Sequence, residues 1–324
     1  MISDREYIFA SSYIKAWDSP LSPAERLSRI RECSSRDSVR STAAELFKVT
    51  GNDPYNEAML SAVNMLREIL PDFSVVSPLL FKYDCNNIKT AIKCNIRGLS
   101  PEGMMFSYGT ISEKEVWECA KSGDFSPLPE IFRKGAEEAT ELFSMTGEAR
   151  AIDLILDKAC FEQMKITADK SGCEETKSIV SLKADGTNLM TARRIGNSGL
   201  STETATVLFR RAFVSGGEME LSAFISKEGN LRCTDDIALF ARGISEKCIK
   251  DAAKKTPDGA ARCIDESVLI YLMQFKFKPF GPHIPLTLLA VREAEITNLR
   301  LAEAAQGFKN RDEFLKERLR VAYV

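Results

Sequence analysis

The feature that most restricts what this chain can fold into is a phrase it says more than once. Residues 83–99 read YDCNNIKTAIKCNIRGL, and residues 184–200 read ADGTNLMTARRIGNSGL. With Asp84 set on Asp185, a shift of 101, Asn87 meets Asn188, Ile88 meets Leu189, Thr90 meets Thr191 and Ala91 meets Ala192. Lys93 meets Arg194, Gly98-Leu99-Ser100 meets Gly199-Leu200-Ser201, and Glu102 meets Glu203. A third copy, REAEITNLRLAEAAQGFKNRDEF, places Glu295 where the Asp stood and keeps Asn298, Leu299 and Ala302 in step. Its Gly, Gly307, arrives two residues early. A degraded trace stands near the start, where Ile14-Lys15 precedes Leu21-Ser22-Pro23 and Glu25. Self-similarity at a fixed period marks repeated supersecondary units.

Local signals make those units helical. Ser77-Pro78 reads as an N-cap followed by N1, and Gly98 as the stop, which predicts a helix over 78–97. Ile284-Pro285 and Gly307 bracket another over 285–306, with Leu286, Leu289, Ile296 and Leu299 at helical spacing. The middle copy predicts a helix over 177–198 ending at Gly199. Each is preceded by a further helical stretch, at 56–70, 149–164 and 261–275. Asp153 and Asp265 hold matching places, 35 and 33 residues before their Asn. Shorter helices are expected at 4–18, 42–50, 115–123 and 218–226. SIVSLKA (178–184) has strand-like composition, but its place in the repeat argues for helix. The expectation is an all-α chain of three similar helical-bundle units: 1–97 with an N-terminal helix, 98–198, and 199–324 with a C-terminal tail. Such units either stack as a solenoid or close around a pseudo-threefold axis. The trace at the N-terminus, complementary to the far end, favours closure.

Little in the chain suggests chemistry. Lys+Arg 44 against Asp+Glu 46 gives a net charge of −2, with no basic excess to attract nucleic acid. No apolar run approaches the roughly 18 residues of a membrane span, and the start carries no apolar targeting segment, so a soluble chain is expected. Nine scattered Cys form no CxxC and read as buried thiols. With one His, His283, read as a loop residue in a Pro-rich turn, His-based metal sites and catalytic triads are nearly excluded. No phosphate loop, GxSxG, HExxH or GxGxxG occurs; Gly216-Gly217 reads as a turn, and Asp235-Asp236 as solvated surface. No cofactor, metal or catalytic residue is expected.

The candidate site residues are therefore the repeated boxes: Asp84 with Asn87, Asp185 with Asn188, and Glu295 with Asn298. Asn is a poor mid-helix residue, so its recurrence needs a reason. The functional reading has three sets ringing an axis and binding something. The favoured structural reading has each Asn hydrogen-bonding the neighbouring helix of its own unit to fix register. The basic positions Lys89, Lys93, Arg193, Arg194 and Arg300 read as solvated or paired rather than anion-binding.

The order of the boxes resembles a known family. Pro279-Phe280-Gly281, Glu293-x-Glu295-Ile296, Asn298-Leu299-Arg300 and the terminal Leu319-Arg320 with Tyr323-Val324 are similar to the end of the central-stalk subunit of A/V-type rotary ATPases. In bacterial and archaeal enzymes this is the C subunit, and its counterpart in the eukaryotic vacuolar enzyme is the d subunit. The Asp84 and Asp185 boxes, Ile14-Lys15-Ala16, Leu21 and Arg26-Leu27 match too, so the resemblance spans the chain. Leu288, Arg292 and Met190 depart from the usual Tyr, Lys and basic residue; these departures concern interface details.

The resemblance implies a funnel of three helical domains around a pseudo-threefold axis and no active site. It implies one copy per complex, peripheral on the cytoplasmic side of the membrane. Its partners would be the membrane rotor ring and the central shaft, subunits D and F. Its role would be to link ATP hydrolysis or synthesis to H+ or Na+ transport. A competing reading is a helical-repeat scaffold for another partner; a third, a helical enzyme using carboxylates, has only abundant acids behind it.

Overall fold

A computed structural model describes residues 4–18 and 21–323. Val324, one residue of the terminal match, lies outside the described residues. Within them the chain forms sixteen α-helices and a few single 3₁₀ turns. The first four are α1 (Ile8–Trp17), α2 (Pro23–Glu32), α3 (Arg36–Phe47) and α4 (Pro54–Ile69). Then come α5 (Ser77–Arg97), α6 (Glu113–Ser122), α7 (Glu130–Thr146), α8 (Ala149–Ser171), α9 (Glu174–Gly196) and α10 (Thr202–Ala212). The short α11 (Leu221–Phe224), α12 (Thr234–Ala238) and α13 (Glu246–Ala253) follow. The chain closes with α14 (Pro257–Met273), α15 (His283–Ala304) and α16 (Arg311–Arg318). Extended pairing among the described residues is limited to one isolated antiparallel bridge, Ile225 with Leu231. The fold is all-α, and the segment at 178–184 is helix, inside α9.

The chain divides into two compact units. One joins the residues up to Phe73 with those from Lys254 onward. Its centre is α15, which packs against α1, α2, α3, α4, α14 and α16. That position explains why α15 buries residues all round, including Leu286, Leu289, Ile296 and Leu299, and also Arg292, Glu295 and Asn298. The other unit runs Ser74–Ala253. Here α5 packs on α6 and α8, α8 on α7, α9 and α10, and α9 on α13. Phe81, Ile88, Phe132, Ile152, Leu156 and Val180 belong to one continuous apolar core. Phe81 and Phe132 meet edge to face with ring centres 5.9 Å apart.

Several expected boundaries move, each for a local reason. Ser77 does not cap α5; it is already the first helical residue, and Val76 is the cap with no side-chain bond. The 3₁₀ turn Phe73–Val75 feeds directly into the helix, so no extended residue remains to act as an N-cap. Gly98 does end α5, with φ +66. Gly199 has φ +74, but α9 has stopped at Gly196, three residues sooner. His283 is not in a loop. It opens α15, is 3% exposed, and its ring lies 5.6 Å from that of Phe275. The stretch expected helical at 218–226 keeps only the single turn α11 before Ile225 joins its bridge. The helix expected at 4–18 begins as a 3₁₀ turn, Asp4–Tyr7.

Candidate functional site

The six box residues are each 0% exposed. In the first box, on α5, the side-chain amide of Asn87 donates to the carbonyl of Phe106 at 2.8 Å, and its oxygen accepts the N–H of the same residue at 2.8 Å. One turn earlier, Asp84 accepts the N–H groups of Thr110 and Ile111 at 2.8 and 3.0 Å and the Thr110 hydroxyl at 2.6 Å. The second box, on α9, repeats this geometry. Asn188 exchanges two bonds with Val214, both 2.9 Å. Asp185 accepts the N–H groups of Glu218 and Met219 at 2.9 and 3.1 Å. An amide side chain that takes both the N–H and the C=O of one residue substitutes for a paired strand. The partner is therefore the backbone that follows each long helix, where the sequence suggested a neighbouring helix.

The loops gripped in this way are themselves a second repeat. FSYGTI (106–111) and VSGGEM (214–219) align with Ser107 on Ser215 and Gly109 on Gly217. Each Gly sits just before the first residue whose N–H the acid accepts. A Cβ at Gly109 would stand 2.2 Å from Asp84 Oδ1, and one at Gly217 would stand 1.9 Å from Asp185 Oδ1. Glycine is required here for close approach of backbone to carboxylate. Gly217, read from sequence as an ordinary turn residue, is part of the box. A shift of 108 between the loops, against 101 between the helices, was the available signal.

The third box, on α15, keeps the Asn and changes the acid. Asn298 holds Arg320 by its carbonyl and its N–H, both at 2.8 Å. The four-residue step that leads from Phe106 to Thr110, and from Val214 to Glu218, leads from Arg320 to Val324, beyond the described residues. The described partner of Glu295 is Arg26 from α2, whose Nε lies 3.1 Å from Oε1. Asp18 joins the group, 3.4 Å from Arg26 and 3.2 Å from Arg292. The Arg292 guanidinium also lies over the rings of Phe47, at 4.4 Å, and Trp17, at 5.6 Å. So the N-terminal trace of the repeat, with Arg26, meets the third copy inside one compact unit.

Two of the buried acids, Asp185 and Glu295, are shifted upward. Burial pushes the Asp185 carboxyl up, against the hydroxyl of Ser245 and the N–H groups of Met219 and Glu218, while the Glu218 charge adds to the rise. Burial pushes Glu295 up to about 7, opposed by Arg26 and Arg292 and assisted by Asp18.

The basic positions are mostly paired. Lys89 and Lys93 reach across from α5 to Asp157 and Asp153 on α8. Arg193 donates to the carbonyls of Ala252 and Ala253, Arg300 lies over the Tyr55 ring, and Arg194 is exposed. Asp153 and Asp265 do not play matching parts: Asp265 instead pairs with Arg320, the residue Asn298 holds. All nine Cys are unbridged and seven of them are buried. Among the described residues no group of three or more His, Cys, Asp or Glu is placed to hold a metal, and no helix is long and apolar enough to cross a membrane.

Fold and boxes together define an all-α protein assembled on a recurring helix phrase whose three asparagines, and two of whose three acids, are spent on its own backbone. Residues 54–308 match the model of the ATP synthase (C/AC39) subunit family, and the chain belongs to that family, the C/AC39 subunit of V/A-type ATP synthase. No match was found among curated proteins.

Proposed function

We propose that the chain is the non-catalytic rotor subunit that joins the central shaft, subunits D and F, to the membrane ring of a V/A-type ATPase. It carries torque between nucleotide turnover and transport of H+ or Na+. The family match over residues 54–308 carries this reading. The physical character of the boxes supports it. From fully buried side chains, each of two long helices holds a loop later in the chain with at least four hydrogen bonds, and the third holds the backbone of Arg320 with two. A part that transmits torque must resist internal shear, and saturated buried polar networks rigidify a fold.

In this reading Asp84, Asn87, Asp185, Asn188, Glu295 and Asn298 are building residues. The chain comprises three related helical units, 1–97, 98–198 and 199–324, closed as a funnel around a pseudo-threefold axis. It sits peripherally on the cytoplasmic side, one copy per complex. A pull-down with the tagged full-length chain against detergent-solubilised membranes tests the assignment. Ring and shaft subunits are expected in the eluate; recovery of neither, with a folded bait, would contradict it.

A further inference from the structure

The third box borders a cavity of about 380 Å³ within its own compact unit. Leu272, Met273, Phe275, Ile284, Leu288 and Val291 give it an apolar wall. The same cavity is lined by Asp18, Arg26, Arg292 and Glu295. Arg26, Arg292 and Glu295 are 5%, 3% and 0% exposed, so water reaches them poorly. Their pairing is incomplete. Arg26 Nε and Glu295 Oε1 are close but not aligned as a hydrogen bond. The Nε of both arginines and both carboxylate oxygens of Glu295 are buried without a hydrogen-bond partner among the described residues. The other two boxes show the contrast, since backbone N–H groups hydrogen-bond to both of their acids. Buried donors left unmade are costly, and native proteins rarely leave them so.

The charge around the cavity selects a sign. Lys15, Lys276 and Lys278 line it as well, so five cations face two carboxylates among the described residues. The shape selects the rest: guanidinium donors match a planar carboxylate, and the wall beside them is hydrocarbon. We propose that this cavity binds a small amphiphilic carboxylate, its head on Arg26 and Arg292 and its tail along the Leu272–Phe275 and Ile284–Val291 wall.

Occupancy is linked to a proton. Glu295 faces Arg26 and Asp18 from the N-terminal elements, Arg292 from its own helix and Tyr323 from the C-terminal segment; the three lysines and His283 line the walls. Burial already holds Glu295 near 7, and a second carboxylate beside it raises it further. Below that pH the site is charge-ready. Above it, each ligand bound brings one proton onto Glu295, and affinity falls about tenfold per pH unit.

Titration calorimetry of the full chain with octanoate, in buffers of different ionisation enthalpy between pH 6 and 9, tests this. One octanoate per chain is expected, with uptake of about one proton at pH 8. Glu295→Gln should bind with no proton uptake and a flat pH profile, which places the ligand in this cavity. No octanoate binding to the folded wild type at pH 6.5 would overturn the proposal, as would unchanged proton uptake in Glu295→Gln. Equal affinity for octylammonium would overturn the assignment of the head, and equal affinity for inorganic phosphate that of the tail. Octanoate binding is independent of the coupling role.

Discussion

Asn87, Asn188 and Asn298 sit mid-helix, where asparagine is a weak choice, because each fully buried amide holds the N–H and C=O of a residue outside its own helix. Asn188→Ala strands both backbone groups of Val214, and urea unfolding should show a loss of about 1–3 kcal/mol. Glu295 makes a pH prediction of opposite sign to an ordinary ion-paired acid. Its folded value is raised to about 7, so the native state binds the proton more tightly than the unfolded state. Its contribution is fully present below the usual carboxylate range and is lost as pH rises toward 7, on the order of 3 kcal/mol in all. Stability measured from pH 4.5 to 7.5 should therefore fall more steeply in the wild type than in Glu295→Gln; parallel curves would contradict the burial account. The identity and recurrence of these residues were legible in the sequence. Their partners were not. From Asn to gripped residue is 19 positions in the first copy and 26 in the second, because α10 intervenes. A fixed-shift comparison cannot find a loop displaced in that way.

At the scale of elements, the long helices were readable because the repeat sets their register and Pro and Gly punctuate them. A Cβ added at Gly98, where φ is +66, would meet no atom within 4 Å, so the role of this glycine is conformational alone. Gly98→Ala should cost about 1 kcal/mol. Gly196, helical and equally unobstructed, should gain about 0.5–1 kcal/mol as alanine. Thermal unfolding of the two variants checks the pair, and a shift of the same sign in both would contradict the assigned ends of α5 and α9. What the sequence hid were elements whose signals are weak. The buried face of α7 is Phe132, Gly135, Ala136 and Ala139, small residues beside one Phe that carry little hydrophobic contrast. The start of α5 was misplaced because a 3₁₀ turn, invisible to capping rules, enters it.

At the scale of the molecule, the family resemblance and the structure meet in one point: polar residues that elsewhere signal chemistry are here consumed in joining helices to the chain around them. Arg26 and Glu295, 269 positions apart in sequence, are the exception: they lie 3.1 Å from each other but keep polar atoms without a hydrogen-bond partner among the described residues. The most direct test is the coupling of a reconstituted V/A-type ATPase prepared with and without this chain, measuring ATP hydrolysis and ion transport together. The account predicts that omission leaves hydrolysis by the soluble head and abolishes ATP-driven transport, with both restored and linked when the chain is added back. Full ATP-driven transport in its absence would contradict it.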